Sequence, residues 1–190
     1  MNLFYEKLPD FVNVGGQEIE IITDFREVIK FIDILKSEEL TAEEKAVLSF
    51  QYFKQEPADP ASALLSYWDF VKMKGVFEQC KEEPEENEVS EVTPRTLFSF
   101  EVDYPYIYAA FLKDYGIDLQ KVPYMHWWNF RMLFDGLAED NEIKKRIMYR
   151  SVDLSKIKNK EERRRIERIQ RSIALAENRV SDFDIGNALM

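Results

Sequence analysis

The stretch 103–137, DYPYIYAAFLKDYGIDLQKVPYMHWWNFRMLFDGL, decides how the rest of this chain is read. It holds Tyr104, Tyr106, Tyr108, Phe111, Tyr115, Tyr124, Trp127, Trp128, Phe130 and Phe134, together with His126, the only histidine. The spacing is helical: Tyr104, Tyr108, Phe111 and Tyr115 recur every three or four residues, as do Trp127, Phe130, Phe134 and Leu137. Each set therefore lines one helical face. Asp103 stands where a cap is expected, and Gly116 where that helix should end.

Rings so arranged pack helices together. Stacking on nucleic-acid bases is the alternative, and it needs basic surroundings. Here Lys113, Lys121 and Arg131 stand against Asp103, Asp114, Asp118 and Asp135. Core packing is preferred, with any excess forming an apolar patch for a partner. The candidate partner-facing residues are Tyr108, Phe111, Trp127, Trp128 and Phe130. His126 lacks the companions that chemistry demands. A metal needs several converging ligands and a dyad needs a nucleophile beside its base, so no metal, cofactor or catalytic residue is expected.

Upstream, LPDFVNV and QEIEIIT flank Gly15-Gly16, a two-residue hairpin signal. Asp24 then caps a helix whose stripe is Phe25, Val28, Ile29, Ile32 and Leu35. Thr41 with Glu44 has the form of a capping box, opening a helix with Val47, Phe50 and Phe53 (or Lys54) inward. Asp59-Pro60 opens a third, with Leu64, Leu65, Trp68 and Val71 inward. Downstream, Asp140 is a cap for a short helix carrying Ile143 and Ile147. Asn159 with Glu162 opens a last helix with Ile166, Ile169 and Ile173 on one side. The fold class expected is mainly α with an N-terminal β-hairpin, an α+β chain. Residues 1–77 form the hairpin and three helices, 78–95 an acidic linker, 96–177 the aromatic helical part, and 178–190 a frayed tail.

With 190 residues, 45% of them hydrophobic, the chain can build a core. Its net charge of −10 argues against bulk affinity for nucleic acid or anionic membrane. No apolar run is long enough to cross a bilayer, and MNLFYEKLPD is not organised as a secretory signal. One cysteine, Cys80, leaves no internal disulfide, which fits a reducing cytoplasm. The glycine pair is not a phosphate loop, because neither GxxxxGK[ST] nor GxGxxG occurs. No enzyme is expected.

Charge is unevenly spread. Residues 1–100 carry 10 basic and 21 acidic side chains, while 141–171 carry 12 basic and 5 acidic. The basic excess centres on NKEERRRIERIQRS (159–172), where Arg163, Arg164 and Arg168 are candidate contact residues. Three readings stand for this helix: phosphate contact with nucleic acid, a solvated face of Glu–Arg pairs, or docking on an acidic surface, either this chain's own first half or a neighbouring copy. The last two together are favoured over nucleic acid. Opposite charge at the two ends allows copies to stack head to tail as a homo-oligomer.

Four segments carry a resemblance: IYAAF (Ile107–Phe111), YGIDL (Tyr115–Leu119), HWWNF (His126–Phe130), and the basic helix Lys160–Arg171. Together they resemble the bacteriophage gene-product-fifteen family of tailed-phage and prophage proteins. The hairpin and DFREVIKF (24–31) look family-like too. The resemblance implies a product of a siphovirus-type tail gene cluster, working in the bacterial host cytoplasm. It further implies a tail-assembly chaperone that binds the tape-measure protein or other tail proteins. It brings no catalytic residues. The alternatives are a minor tail protein retained in the virion and a nucleic-acid-binding regulator using the arginine helix.

Overall fold

The computed structural model describes residues 2, 4–76 and 97–175. The linker expected at 78–95, the tail at 178–190 and Cys80 lie outside the described residues. In chain order the elements are β1 (Phe11–Val14), β2 (Gln17–Glu20), α1 (Phe25–Lys36), α2 (Ala42–Ser49), a 3-10 turn (Phe50–Tyr52), α3 (Pro60–Val71), α4 (Phe100–Tyr115), α5 (Trp127–Asp135), α6 (Glu142–Ser151), a 3-10 turn (Leu154–Lys156) and α7 (Lys160–Ser172). The chain is thus mainly α with an N-terminal hairpin, as expected. It divides into two compact units. Among the described residues the first holds those up to 76 with Tyr124–Arg131, and the second holds 97–123 with 132–175.

In the first unit, β1 and β2 pair antiparallel, Val12 opposite Ile19 and Val14 opposite Gln17. Gly15 and Gly16 both sit at positive φ, 59° and 88°, as a tight turn between twisted strands requires. Val12, Val14 and Ile19 turn inward. The Asp24 carboxylate accepts the Arg26 amide at 3.0 Å and caps α1. The inward stripe of α1 is Phe25, Val28 and Phe31, rotated from the expected one that used Ile29, Ile32 and Leu35. Phe31 sets the rotation, because its ring meets Tyr52 and Tyr67 edge-on at 5.3 and 4.8 Å. The Thr41–Glu44 capping box is present in both directions. α2 nevertheless turns Val47 outward, 68% exposed, because the helix gives way to a 3-10 turn at Phe50 and buries Ser49 instead. α3 has the expected Asp59 cap and Pro60 start. It buries Ala63, Leu64, Tyr67, Phe70 and Val71 and leaves Leu65 outside.

The aromatic motif completes this unit. The Phe25 amide donates to the Met125 carbonyl at 3.0 Å, and the Trp127 amide to that of Thr23 at 2.7 Å, so the chain around Met125 lies antiparallel to that around Asp24. Both indole N–H groups reach backbone carbonyls of α3, Trp127 to Val71 and Trp128 to Phe70, each at 2.9 Å. Phe130 stacks on Phe25 with centroids 4.7 Å apart.

In the second unit α4 begins at Phe100, and its cap is Ser99 rather than Asp103. The Ser99 hydroxyl accepts the Val102 amide at 3.3 Å, while the Ser99 amide donates to the Asp103 carboxylate at 3.0 Å. Gly116 ends the helix in the left-handed region at φ 66°, as its position suggested. The N-cap position of α6 is Asn141 and not Asp140, and no side chain caps it: the Asn141 side-chain amide donates instead to the Asp114 carboxylate at 2.6 Å. Asp140 is instead held by the Lys113 ammonium at 2.8 Å. α7 opens at Asn159, whose side-chain oxygen accepts the amides of Glu161 and Glu162.

Candidate partner-binding surfaces

Each sequence-predicted residue has a definite place. Phe111, Trp127, Trp128 and Phe130 are buried. Their rings hold helices together and are not surfaces that a second molecule touches. Tyr108 is half-buried, and its hydroxyl donates to the Asp118 carboxylate at 3.0 Å. That bond raises the tyrosine pKa, while the Lys121 ammonium first and the Tyr108 hydroxyl after it hold the Asp118 carboxyl below its usual range. Arg163, Arg164 and Arg168 are exposed.

His126 has a structural task that its neighbours in sequence do not reveal. Its Nδ1 accepts the Trp128 amide at 3.0 Å and so serves the first turn of α5. Its Nε2 lies 3.0 Å from the Pro9 carbonyl oxygen, which fixes the neutral tautomer with the proton on Nε2. Burial pushes the imidazole pKa down. No group of three or more His, Cys, Asp or Glu positioned to hold a metal occurs among the described residues.

Two candidate surfaces stand out in the second unit. The first is the outward side of α4. The inward side is Asp103, Ile107, Ala110 and Phe111. The outward side carries an apolar stripe edged by charge: Val102 is 51% exposed, Leu112 47%, and Pro105 and Ala109 lie exposed between them, with Tyr104 at one flank 66% exposed and Glu101 and Lys113 exposed at the stripe's edges. An apolar stripe on the solvent side of a helix is a candidate contact surface. From Val102 to Leu112 the stripe runs about 15 Å, at about 1.5 Å per residue.

The second surface is the outward side of α7. Ile166, Ile169 and Ile173 are half-buried on one side, and Lys160, Arg164, Arg168 and Arg171 stand on the other. Arg171 is paired with Glu167 at 2.6 Å. Arg163, Arg164, Arg165 and Arg168 have no carboxylate partner among the described residues.

Sequence reasoning missed the polar knot beneath these surfaces. Arg150 Nη1 and Nη2 donate to the fully buried Asp103 carboxylate at 2.6 and 3.0 Å. The same guanidinium donates to the Leu97 and Ile173 carbonyls at 3.0 and 2.8 Å, tying together the approach to α4, α6 itself and the end of α7. Arg146 lies 3.8 Å from Asp103 and over the Tyr106 ring. The paired members Asp103 and Arg150 stand 47 positions apart, so no local pattern marks them.

No described helix is long and apolar enough to cross a membrane. A family model described as Bacteriophage Gp15 protein matches residues 4–175. No curated protein and no solved structure matches the chain.

Proposed function

We propose, from the premise that this chain belongs to the bacteriophage Gp15 protein family, that it serves tail morphogenesis as an assembly chaperone. It binds the long helical tape-measure protein, or another tail protein, in the host cytoplasm before the tail tube closes. It acts by holding and catalyses no reaction.

The observation that carries this reading is the outward stripe of α4. Val102, Pro105, Ala109 and Leu112 offer an uncharged ridge two to three turns long, the size of contact that one face of an amphipathic helix fills. Covering Val102 and Leu112 contributes on the order of 1–2 kcal/mol each. One such site holds a client weakly. Several copies along one polypeptide hold it firmly through effective concentration, and each still lets go when tube subunits compete.

The test is co-purification of the full chain with tape-measure segments from the same genome, set beside Val102→Glu and Leu112→Glu. These side chains face solvent, so both variants are expected to fold and to lose the client. Retention of the client by the folded double variant overturns the assignment of the stripe. Mass spectrometry of purified particles is expected to find no copies. Their presence in mature tails makes the protein a structural component instead.

A further inference from the structure

We infer that the arginine face of α7 is a docking surface for a second copy of this chain, and that it seats on the acidic corner where α1 gives way to α2. The inference concerns contact between copies and does not depend on the identity of any client.

The donor surface is a built helix with an orientation. Asn159 caps its start, and Gln170 ties its last turn to α6 by donating to the Tyr149 and Val152 carbonyls at 2.8 Å each. The isoleucines face inward, so Arg164 and Arg168, one turn apart, must face solvent. Their guanidiniums are forks matched to carboxylates.

The acceptor surface has matching chemistry. Glu39 and Glu43 are exposed, with no cationic partner among the described residues. Glu44 lies beside them, its carboxyl held low mainly by the Thr41 amide, so it stays charged. One turn further along α2, Val47 and Leu48 are exposed. Carboxylates bordered by aliphatic side chains suit arginine in particular. The charged head meets the acid while the methylene stem lies over apolar surface.

Charge distribution favours a copy of the same chain over nucleic acid. The described part of the first unit carries 9 basic and 14 acidic side chains, and that of the second carries 14 basic and 12 acidic. The arginine face of one molecule therefore finds its complement on any other. A phosphate backbone meets a chain whose net charge is −10, which disfavours it as the partner. The contact joins two different surfaces and so adds copies in one direction.

Sedimentation equilibrium of the full chain tests this, at about 0.05 and about 0.5 M salt, where screening differs strongly. Self-association is expected at the lower salt, weakened at least about tenfold at the higher. The pair Arg164→Glu with Arg168→Glu, and separately Glu39→Lys with Glu43→Lys, should each stay monomeric with unchanged circular dichroism. Mixing the two variants should restore association, because each then offers the charge that the other lost. A wild-type chain that is monomeric at low salt overturns the inference. So does association indifferent to salt, failure of the mixed variants to associate, or association that appears only when nucleic acid is added.

Discussion

Replacing Asp103 by asparagine keeps the shape of the side chain and removes its charge. The residue is completely buried, and Arg150, which it holds through two hydrogen bonds of 2.6 and 3.0 Å, is nearly so. Water cannot take over the orphaned guanidinium there. The Arg150 charge is left facing an amide, with Arg146 another 3.8 Å from the same site. Removing one partner of a buried pair costs roughly 3–5 kcal/mol. Asparagine still accepts one hydrogen bond, so the lower end, about 3 kcal/mol, applies. With a urea slope of about 2 kcal/mol/M, the transition of this unit moves down by about 1.5 M. Tryptophan fluorescence is the wrong probe, since Trp68, Trp127 and Trp128 all lie in the first unit. Far-ultraviolet circular dichroism, with amide hydrogen exchange along α4 and α6, reads the correct one. The double variant Asp103→Leu with Arg150→Met removes both charges, and its cost should fall short of the summed single costs by about 2 kcal/mol or more. A loss below about 1 kcal/mol for Asp103→Asn, or strict additivity in the cycle, refutes the picture of a dry ion pair.

The imidazole of His126 is neutral in the folded chain and its pKa lies below the ordinary 6.5. Its contribution is therefore complete above the unfolded pKa and is lost as pH falls through about 6.5 toward the folded value. The melting temperature should drop on acidification, and His126→Gln should flatten that drop. Truncating Trp127 to alanine removes a fully buried ring and the hydrogen bond to Val71, and should cost about 3–5 kcal/mol by denaturant titration. Gly116→Ala places a side chain at φ 66°, and a loss of about 1–2 kcal/mol is expected in the same titration.

What the sequence made legible is local. Gly15-Gly16, the Thr41–Glu44 box, Asp59-Pro60 and Asn159 each act through neighbours a few residues away, and each stands in the fold as read. Which side of a helix faces inward was less legible. Val47, Leu65 and Tyr104 sit at proper helical spacing yet face outward, because the choice among adjacent apolar residues belongs to whatever packs against the helix. The Asp103–Arg150 pair spans 47 positions and the His126–Pro9 contact 117, so neither leaves a local pattern. Aromatic residues hid the candidate surface for a related reason. A tryptophan serves a core and an interface equally well, and here Trp127 and Trp128 serve the core. The uncharged face that remained open is built from Val102, Pro105, Ala109 and Leu112, which composition alone does not mark. The α7 arginines were readable as exposed because so many charges on one helix cannot all find buried partners, as the single Arg150 does in Asp103.

The two open surfaces differ in physical character, and that difference separates the two roles assigned to them. Contact along α4 is apolar, so added salt leaves it unchanged or strengthens it slightly. Contact through Arg164 and Arg168 is between solvated ions and weakens as salt rises. A chain that grips a helical client through α4 and meets its neighbours through α7 should therefore lose its neighbours first. At about 0.5 M salt, client binding should persist with the avidity gone, so that each copy dissociates quickly and independently. Single-molecule or surface-immobilised kinetics with a tape-measure segment resolves this. Fast, uniform dissociation at high salt and slow, concentration-dependent dissociation at low salt is the expected pattern. If client binding itself collapses with salt while self-association persists, the assignments are reversed: the arginines hold the client, and the apolar ridge of α4 joins the copies.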